Sequence, residues 1–242
     1  MSLDEKAWQD IRLRIVAAAK AAHRDPGTIR VLAVSKSFPI QALRTAYAMG
    51  QRAFGENYVQ EARPKIAALS GLPGIEWHLI GPLQSNKARP AAQSFSWVET
   101  IDRHEIAQRL SMARDVRLPP LNVCVQVNIS GETAKHGVIP STALALAREV
   151  GRLPGLALRG FMGIAQTADD GAPVRAQFHL LRELYDAGRR EGLALDTLSM
   201  GMSSDFEFAI AEGATQLRIG SALFGPRDPA TRTRMDHSMT QR

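Results

Sequence analysis

The sequence predicts an α/β fold: a single (β/α)8 barrel of the TIM type, preceded by one extra amino-terminal helix. Three observations predict it. Strand-like and helix-like segments alternate about eight times after a leading helical stretch, the pattern of a parallel sheet wrapped by crossover helices. The length of 242 residues is near the roughly 250 usual for such a barrel. Nothing resembling GxGxxG follows the first strand, which counts against the runner-up, a doubly wound open sheet. No repeat, linker or low-complexity run divides the chain, so residues 1–228 read as one domain and 229–242 as a polar, frayed tail.

The elements follow in order. Residues 3–23 carry apolar positions at the helical period, and Asp25-Pro26-Gly27 stops them. Arg30-Val31-Leu32-Ala33-Val34-Ser35-Lys36 reads as the first strand. Pro39 suits the first turn of a helix that Gly50 closes. Arg52-Ala53-Phe54-Gly55 is a short strand, then a helix follows Glu56-Asn57, with Pro64 expected to kink or restart it. Strands at 75–80 and 97–101 flank the polar turn Gln84-Ser85-Asn86-Lys87. Asp102 with Glu105 forms a capping-box pattern that opens a helix to about Arg114. The longest strand spans Leu121 to Ile129. Helices at 141–150, 174–191 and 205–211 then alternate with strands at 156–162, 195–200 and 216–220.

Bulk properties remove several classes. The net charge is +6, yet the arginines are scattered, many beside acids, and aromatic residues are 6%. A nucleic-acid surface needs clustered cations with stacking rings, so the charge reads as a solvated face with a mild preference for anions. The lone Cys124 cannot make an internal disulfide and reads as a buried spectator thiol. The first six residues lack the order of a signal peptide, and no apolar run nears the ~20 residues that span a bilayer, so a soluble cytoplasmic protein is expected. The histidines lack an HExxH-type spacing, so no metal site is expected. Gly163 has no GxSxG context that would mark a hydrolase.

The chemistry should sit at the carboxyl ends of the strands. A lysine closing an apolar strand has three readings: a side chain that has reached solvent, an anion clamp, or a nucleophilic amine that forms a Schiff base. Arg218 lies in the middle of Gln216-Leu217-Arg218-Ile219-Gly220. On an edge strand it would face solvent, whereas in a closed barrel it must point inward and find acceptors. In Ser199-Met200-Gly201-Met202-Ser203-Ser204-Asp205-Phe206-Glu207, a strand passes through glycine and serines into a helix start. This is either a capping box from Ser204 to Glu207 or a phosphate cradle. Gly220-Ser221 follows the next strand, and barrel phosphate sites commonly use the loops after strands 7 and 8. A lysine, a phosphate cradle and an inward arginine at one barrel mouth suggest pyridoxal 5′-phosphate (PLP), with Lys36 on its aldehyde and Arg218 facing the ring nitrogen. His78, Glu56 and His136 stay unassigned.

Several runs together resemble the pyridoxal phosphate homeostasis protein family. They are Val34-Ser35-Lys36, Phe54-Gly55-Glu56-Asn57-Tyr58-Val59-Gln60-Glu61, Trp77-His78-Leu79-Ile80-Gly81-Pro82-Leu83-Gln84-Ser85-Asn86-Lys87, Ser199-Met200-Gly201-Met202-Ser203 and Arg218-Ile219-Gly220-Ser221. The resemblance runs from about residue 8 to Asp228. It implies a fold-type III barrel similar to the amino-terminal domain of alanine racemase, with a Schiff base at Lys36, phosphate contacts at Ser203, Gly220 and Ser221, and Asn57 near the cofactor. Met202 and Ser204 complete the expected set. The implied role is that of a cofactor carrier or regulator rather than an enzyme, acting as a monomer that serves PLP-dependent apo-enzymes. The alternatives are a racemase-like PLP enzyme and a PLP-independent Schiff-base aldolase. The racemase reading would need a second base, which alanine racemase takes from a second domain. Three departures stand out: Ser37 where threonine is usual, Pro82 where histidine is common, and Gly163-Ile164-Ala165-Gln166 in place of an Ala-Ile-Pro-like run, which alters one wall of the pocket.

Overall fold

A computed structural model describes residues 5–166 and 171–225. Eight parallel strands close a barrel in chain order: β1 (Arg30–Val34), β2 (Ala53–Glu56), β3 (Glu76–Leu79), β4 (Trp97–Ile101), β5 (Leu121–Val127), β6 (Leu156–Gly163), β7 (Thr197–Ser199) and β8 (Gln216–Ile219). Around it run α1 (Glu5–Ala21), α2 (Ile40–Ala48), α3 (Val59–Ala68), α4 (Ala88–Ser94), α5 (His104–Ala113), α6 (Pro140–Val150), α7 (Gly171–Arg190), α8 (Phe206–Ala211) and α9 (Ser221–Phe224). The expected barrel is the observed one, and α1 is the extra helix, packed against α8 and α9.

Strand alternation sorts the side chains into two layers. Val123, Val125 and Val127 of β5 face the helices and join the main core, with Phe54, Phe161, Phe178 and Phe206 fully buried there. Each such phenylalanine contributes about 2–3 kcal/mol by leaving water. Cys124 faces inward instead, with Trp97 and Met162. The interior also carries polar side chains: His78, Glu99, Gln126, Ser199, Gln216 and Arg218 are all buried.

Several expectations are corrected. β1 ends at Val34, and Lys36 lies in the turn beyond it: the Ser35 N–H makes the last bond to β2, at Gly55 O, and Ser37 then takes a left-handed φ of +66° that no strand can continue through. The α5 capping box does not form: Arg103 is the cap residue without a side-chain bond, Asp102 pairs with Arg103, and Glu105 pairs with Arg109. The Ser204–Glu207 capping box is absent as well. Asp205 occupies the cap position of α8 and its carboxylate accepts the Met202 N–H, while Glu207 pairs with Arg14 on α1. Pro64 lies inside α3, which continues through it. α4 and α9 had no counterpart in the sequence reading: one is short and alanine-rich with Pro90 in it, the other a single turn. β5 stops at Val127, because Asn128 N–H donates to Val138 O rather than to the ladder. Residues 226–242, with the expected frayed tail and His237, lie outside the described residues.

Candidate functional site

Two neighbouring strand ends at the barrel mouth share one construction. In β1, Leu32 and Val34 lie in the inner layer and Ala33 in the outer. Ser35 follows in the outer layer, its hydroxyl donating to Glu56 Oε1 at 2.5 Å, and Lys36 opens the turn beyond it. Lys36 is half-buried. In β2, Phe54 and Glu56 lie outside, and Asn57 follows, half-buried, against the mouth. Asn57 is held by a close backbone approach, since a Cβ on Gly81 would stand 2.2 Å from Asn57 O. Thr100 Oγ1 donates to Gly81 O at 2.9 Å and keeps that loop in place.

The last two strands bring their loops to the Lys36 turn. β8 pairs with β1 with Leu32 opposite Arg218 and Ala33 opposite Ile219. The next residue, Gly220, therefore lies beside Val34, and a Cβ there would come within 3.3 Å of Val34 Cβ. Phe38, just past Lys36, stacks on Phe224 of α9 with ring centroids 4.8 Å apart. The helix that starts at Ser221 is thus fastened to the lysine turn. Arg218 N–H donates to Gly201 O at 2.9 Å, which sets the Met202-Ser203-Ser204 turn beside β8. Gly201 has φ +92°, and a Cβ there would meet Ala209 Cβ at 2.6 Å, so a larger residue would not make this turn. Ser203 is half-buried; Ser204 and Ser221 are exposed. The first N–H groups of a helical turn have no intrahelical acceptor and face outward.

Arg218 sits below this ring of loops. It is 4% exposed, so the edge-strand reading fails: the sheet is closed and the guanidinium is interior. Its Nη1 donates to Ser199 Oγ at 2.8 Å and its Nη2 to Gly163 O at 2.8 Å. Ser199 Oγ donates on to Glu99 Oε2 at 2.6 Å. Glu99 Oε1 accepts Gln216 Nε2 at 2.7 Å and lies 2.6 Å from His78 Nδ1. Burial alone would raise the Glu99 carboxyl, but hydrogen bonds and charge from His78, Arg218 and Ser199 outweigh it and hold the group below its ordinary range. Burial also lowers the Arg218 guanidinium from its usual value. The sequence reading named Arg218 and left His78 unassigned; it missed Glu99, whose signal was a carboxylate in the middle of Trp97-Val98-Glu99-Thr100-Ile101.

Beside Asn57 the mouth holds a cavity of about 210 Å³, walled by Ile80, Gln126, Lys135, His136 and Ile164 among others. Lys36, Arg218, Ser203 and Ser221 are not in its walls. The altered run 163–166 contributes Ile164 to one wall and Gly163 O to Arg218. Among the described residues no three His, Cys, Asp or Glu side chains gather as a metal site. Cys124 is fully buried, and burial pushes its thiol well up.

Comparison with known proteins gives a consistent picture. The family model of the alanine racemase N-terminal domain matches residues 10–228. A pyridoxal phosphate homeostasis protein of Pseudomonas aeruginosa is 56% identical over 218 residues, 90% of this chain and 93% of its own. One from Escherichia coli K12 is 49% identical over 223 residues, 90% of this chain and 94% of its own. Among solved structures, PipY of Synechococcus elongatus PCC7942 with PLP bound superposes with a TM-score of 0.76 at 39% identity, covering 87% of this chain and 100% of its own. An alanine racemase of Clostridium difficile 630, at 14% identity and a TM-score of 0.68, shares the fold. The chain belongs to the alanine racemase N-terminal domain family and, with its closely similar relatives, to the pyridoxal phosphate homeostasis proteins.

Proposed function

We propose that this protein binds pyridoxal 5′-phosphate at the barrel mouth, with Lys36 as its covalent anchor, and takes part in keeping the cofactor supply. One observation carries the reading: the Lys36 turn, the Gly220–Ser221 helix start and the inward Arg218 are joined by strand pairing and by the Phe38–Phe224 stack. The donor set fits the ligand. A primary amine suits an aldehyde, backbone N–H groups at Ser203–Ser204 and Gly220–Ser221 suit a phosphate, and Asn57 offers an amide at the rim. When bound, pyridoxal phosphate supplies an aldehyde carbon that condenses with a primary amine, one C=N bond forming as one water leaves. Arg218 has donors and no acceptor, so it would face an unprotonated ring nitrogen, and its bonds to Ser199 and Gly163 fix its direction. An arginine there weakens the ring as an electron sink, which supports holding over catalysis.

The homeostasis role of the similar proteins from Pseudomonas aeruginosa and Escherichia coli supports a carrier or regulator. No helix among the described residues is long and apolar enough to cross a membrane, in line with action in the cytoplasm on PLP-dependent apo-enzymes. We take the barrel, residues 1–228, as the binding unit and a monomer as the working form. Weak racemase-like activity is a second reading, favoured by His136 in the wall of the mouth cavity. No exchange of α-protons in deuterated water across an amino-acid panel would remove it.

The absorption spectrum tests the main reading. Protein mixed with pyridoxal phosphate should gain a visible band, lose it on borohydride reduction with mass added to the Lys36 peptide, and fail to form it in Lys36→Ala. A wild-type protein with no such band would refute the assignment.

A further inference from the structure

Both neighbours of Lys36 are gripped by a buried ionic cluster that the anchoring chemistry does not use. Lys65, on α3, is 5% exposed, a burial rare for a lysine unless it is paired. Its ammonium donates to Ser35 O at 2.8 Å, Glu56 Oε1 at 2.8 Å and Glu61 Oε1 at 2.7 Å, which uses all three of its protons. Ser35 is held twice, through its carbonyl by Lys65 and through its hydroxyl by Glu56. On the other side of Lys36, the Ser37 N–H donates to Glu61 Oε1 at 2.6 Å. Ser37 has φ +66°, a left-handed conformation that costs a non-glycine residue roughly 1 kcal/mol or more.

A buried cluster of this kind adds little net stability compared with apolar packing, because desolvating the charges offsets their attraction. Its distinctive product is geometry. Ser35 is locked outward and Ser37 is locked in a left-handed turn, and the residue between them has little choice of direction. Glu56 extends the same grip to β2, one residue before Asn57.

We propose that Lys65 is a positioning residue for the Lys36 amine, acting with Glu56 and Glu61 through the two residues that flank it. The inference rests on the pyridoxal phosphate reading above and adds to it a residue outside the barrel mouth. It touches no ligand; its effect is on where the amine stands when an aldehyde arrives.

The test separates positioning from folding by using two ligands. Affinity is measured for pyridoxal 5′-phosphate and for 4-deoxypyridoxine 5′-phosphate, which keeps the ring and phosphate but has no aldehyde. Wild type should prefer the aldehyde, and Lys36→Ala should erase the preference. Lys65→Met should shrink the preference by roughly ten- to hundredfold, the scale on which a small misplacement of a reacting group acts. The aldehyde-free ligand should bind nearly as before. Lys65→Arg, which keeps the charge, should recover part of the preference. If Lys65→Met does not fold, Glu61→Leu removes the Ser37 acceptor and should show the same selective loss. A wild-type preference in the folded variants, or an equal loss for both ligands, would overturn the proposal. A wild type with no aldehyde preference would sink the covalent anchor itself, a distinguishable failure.

Discussion

Replacing Glu99 by leucine tests the polar network of the barrel interior, where this carboxylate is the shared acceptor. It is fully buried, with Gln216 Nε2 at 2.7 Å and His78 Nδ1 at 2.6 Å on one oxygen and Ser199 Oγ at 2.6 Å on the other. Through Ser199 it also faces the Arg218 guanidinium, which donates to the same hydroxyl at 2.8 Å. Glu99→Leu keeps comparable bulk but leaves these donors without an acceptor and the arginine without its counter-charge. Removing one side of a buried charge pair costs about 3–5 kcal/mol. A chain of this size loses roughly 2–4 °C of melting temperature per kcal/mol, so a drop of about 6–20 °C is expected. The assay is urea and thermal unfolding of wild type, Glu99→Leu, Arg218→Met and the double variant at neutral pH. Because the two groups share Ser199, the double variant should lose less than the sum of the singles by about 0.5–3 kcal/mol. The pH dependence adds a check of sign. The folded Glu99 carboxyl is held below its unfolded value of 4.5, so its contribution is present above that pH and is lost as pH falls through the lower folded value. The gap between wild type and Glu99→Leu should therefore narrow in acid. Strict additivity of the two substitutions, or a loss under about 1 kcal/mol, would refute the picture of one coupled network.

Glu56 should behave in the opposite sense. Burial, set against the Lys65 charge, raises its carboxyl from 4.5 to about 7. Its contribution is thus full below 4.5 and is lost as pH rises through about 7, a swing of about 3 kcal/mol at most. Unfolding of Glu56→Gln across that window should show a flatter decline than wild type. Gly81→Ala drives a Cβ to 2.2 Å from Asn57 O, a backbone atom that cannot rotate away, and should cost about 1–3 kcal/mol by urea midpoint. Cys124, with no exposed surface and a thiol raised by burial, should resist thiol-reactive dyes in the native protein and react on unfolding.

The barrel was legible because its signals are local. Each strand is a short apolar run, and each stronger helix an amphipathic period followed by glycine or proline. α4 escaped because Pro90 interrupts a segment of seven residues whose inward face is made of alanines alone: Ala88, Ala91 and Ala92 stand at the helical spacing but are too small to mark an apolar face. Arg218 was legible as an anomaly, a charge central to a short strand. Its partners were not, since Glu99 meets Ser199 and Gln216 across 100 and 117 residues of sequence. The Lys65 cluster was hidden for a different reason. Glu61 and Lys65 form an ordinary i,i+4 pair on paper, and only the packing of α3 against the ends of β1 and β2 turns that pair inward. Lys36 reads as strand because an apolar run leads up to it; the left-handed turn at Ser37, which no local signal marks, ends the extended chain there.

The pairing of β8 with β1 has a consequence for assembly. These strands are the first and last to be made, and the sheet becomes a barrel when they meet. A ligand fixed to Lys36 after β1 and cradled by the turns around β8 would bridge that junction as a molecular clasp. Its binding free energy would then oppose the opening of the sheet along its last-formed edge, about 2.7 kcal/mol at a ligand concentration of 100 times the dissociation constant. Loaded protein should accordingly protect the amides of β1 and β8 from hydrogen exchange more than those of β4 and β5, on the far side of the ring.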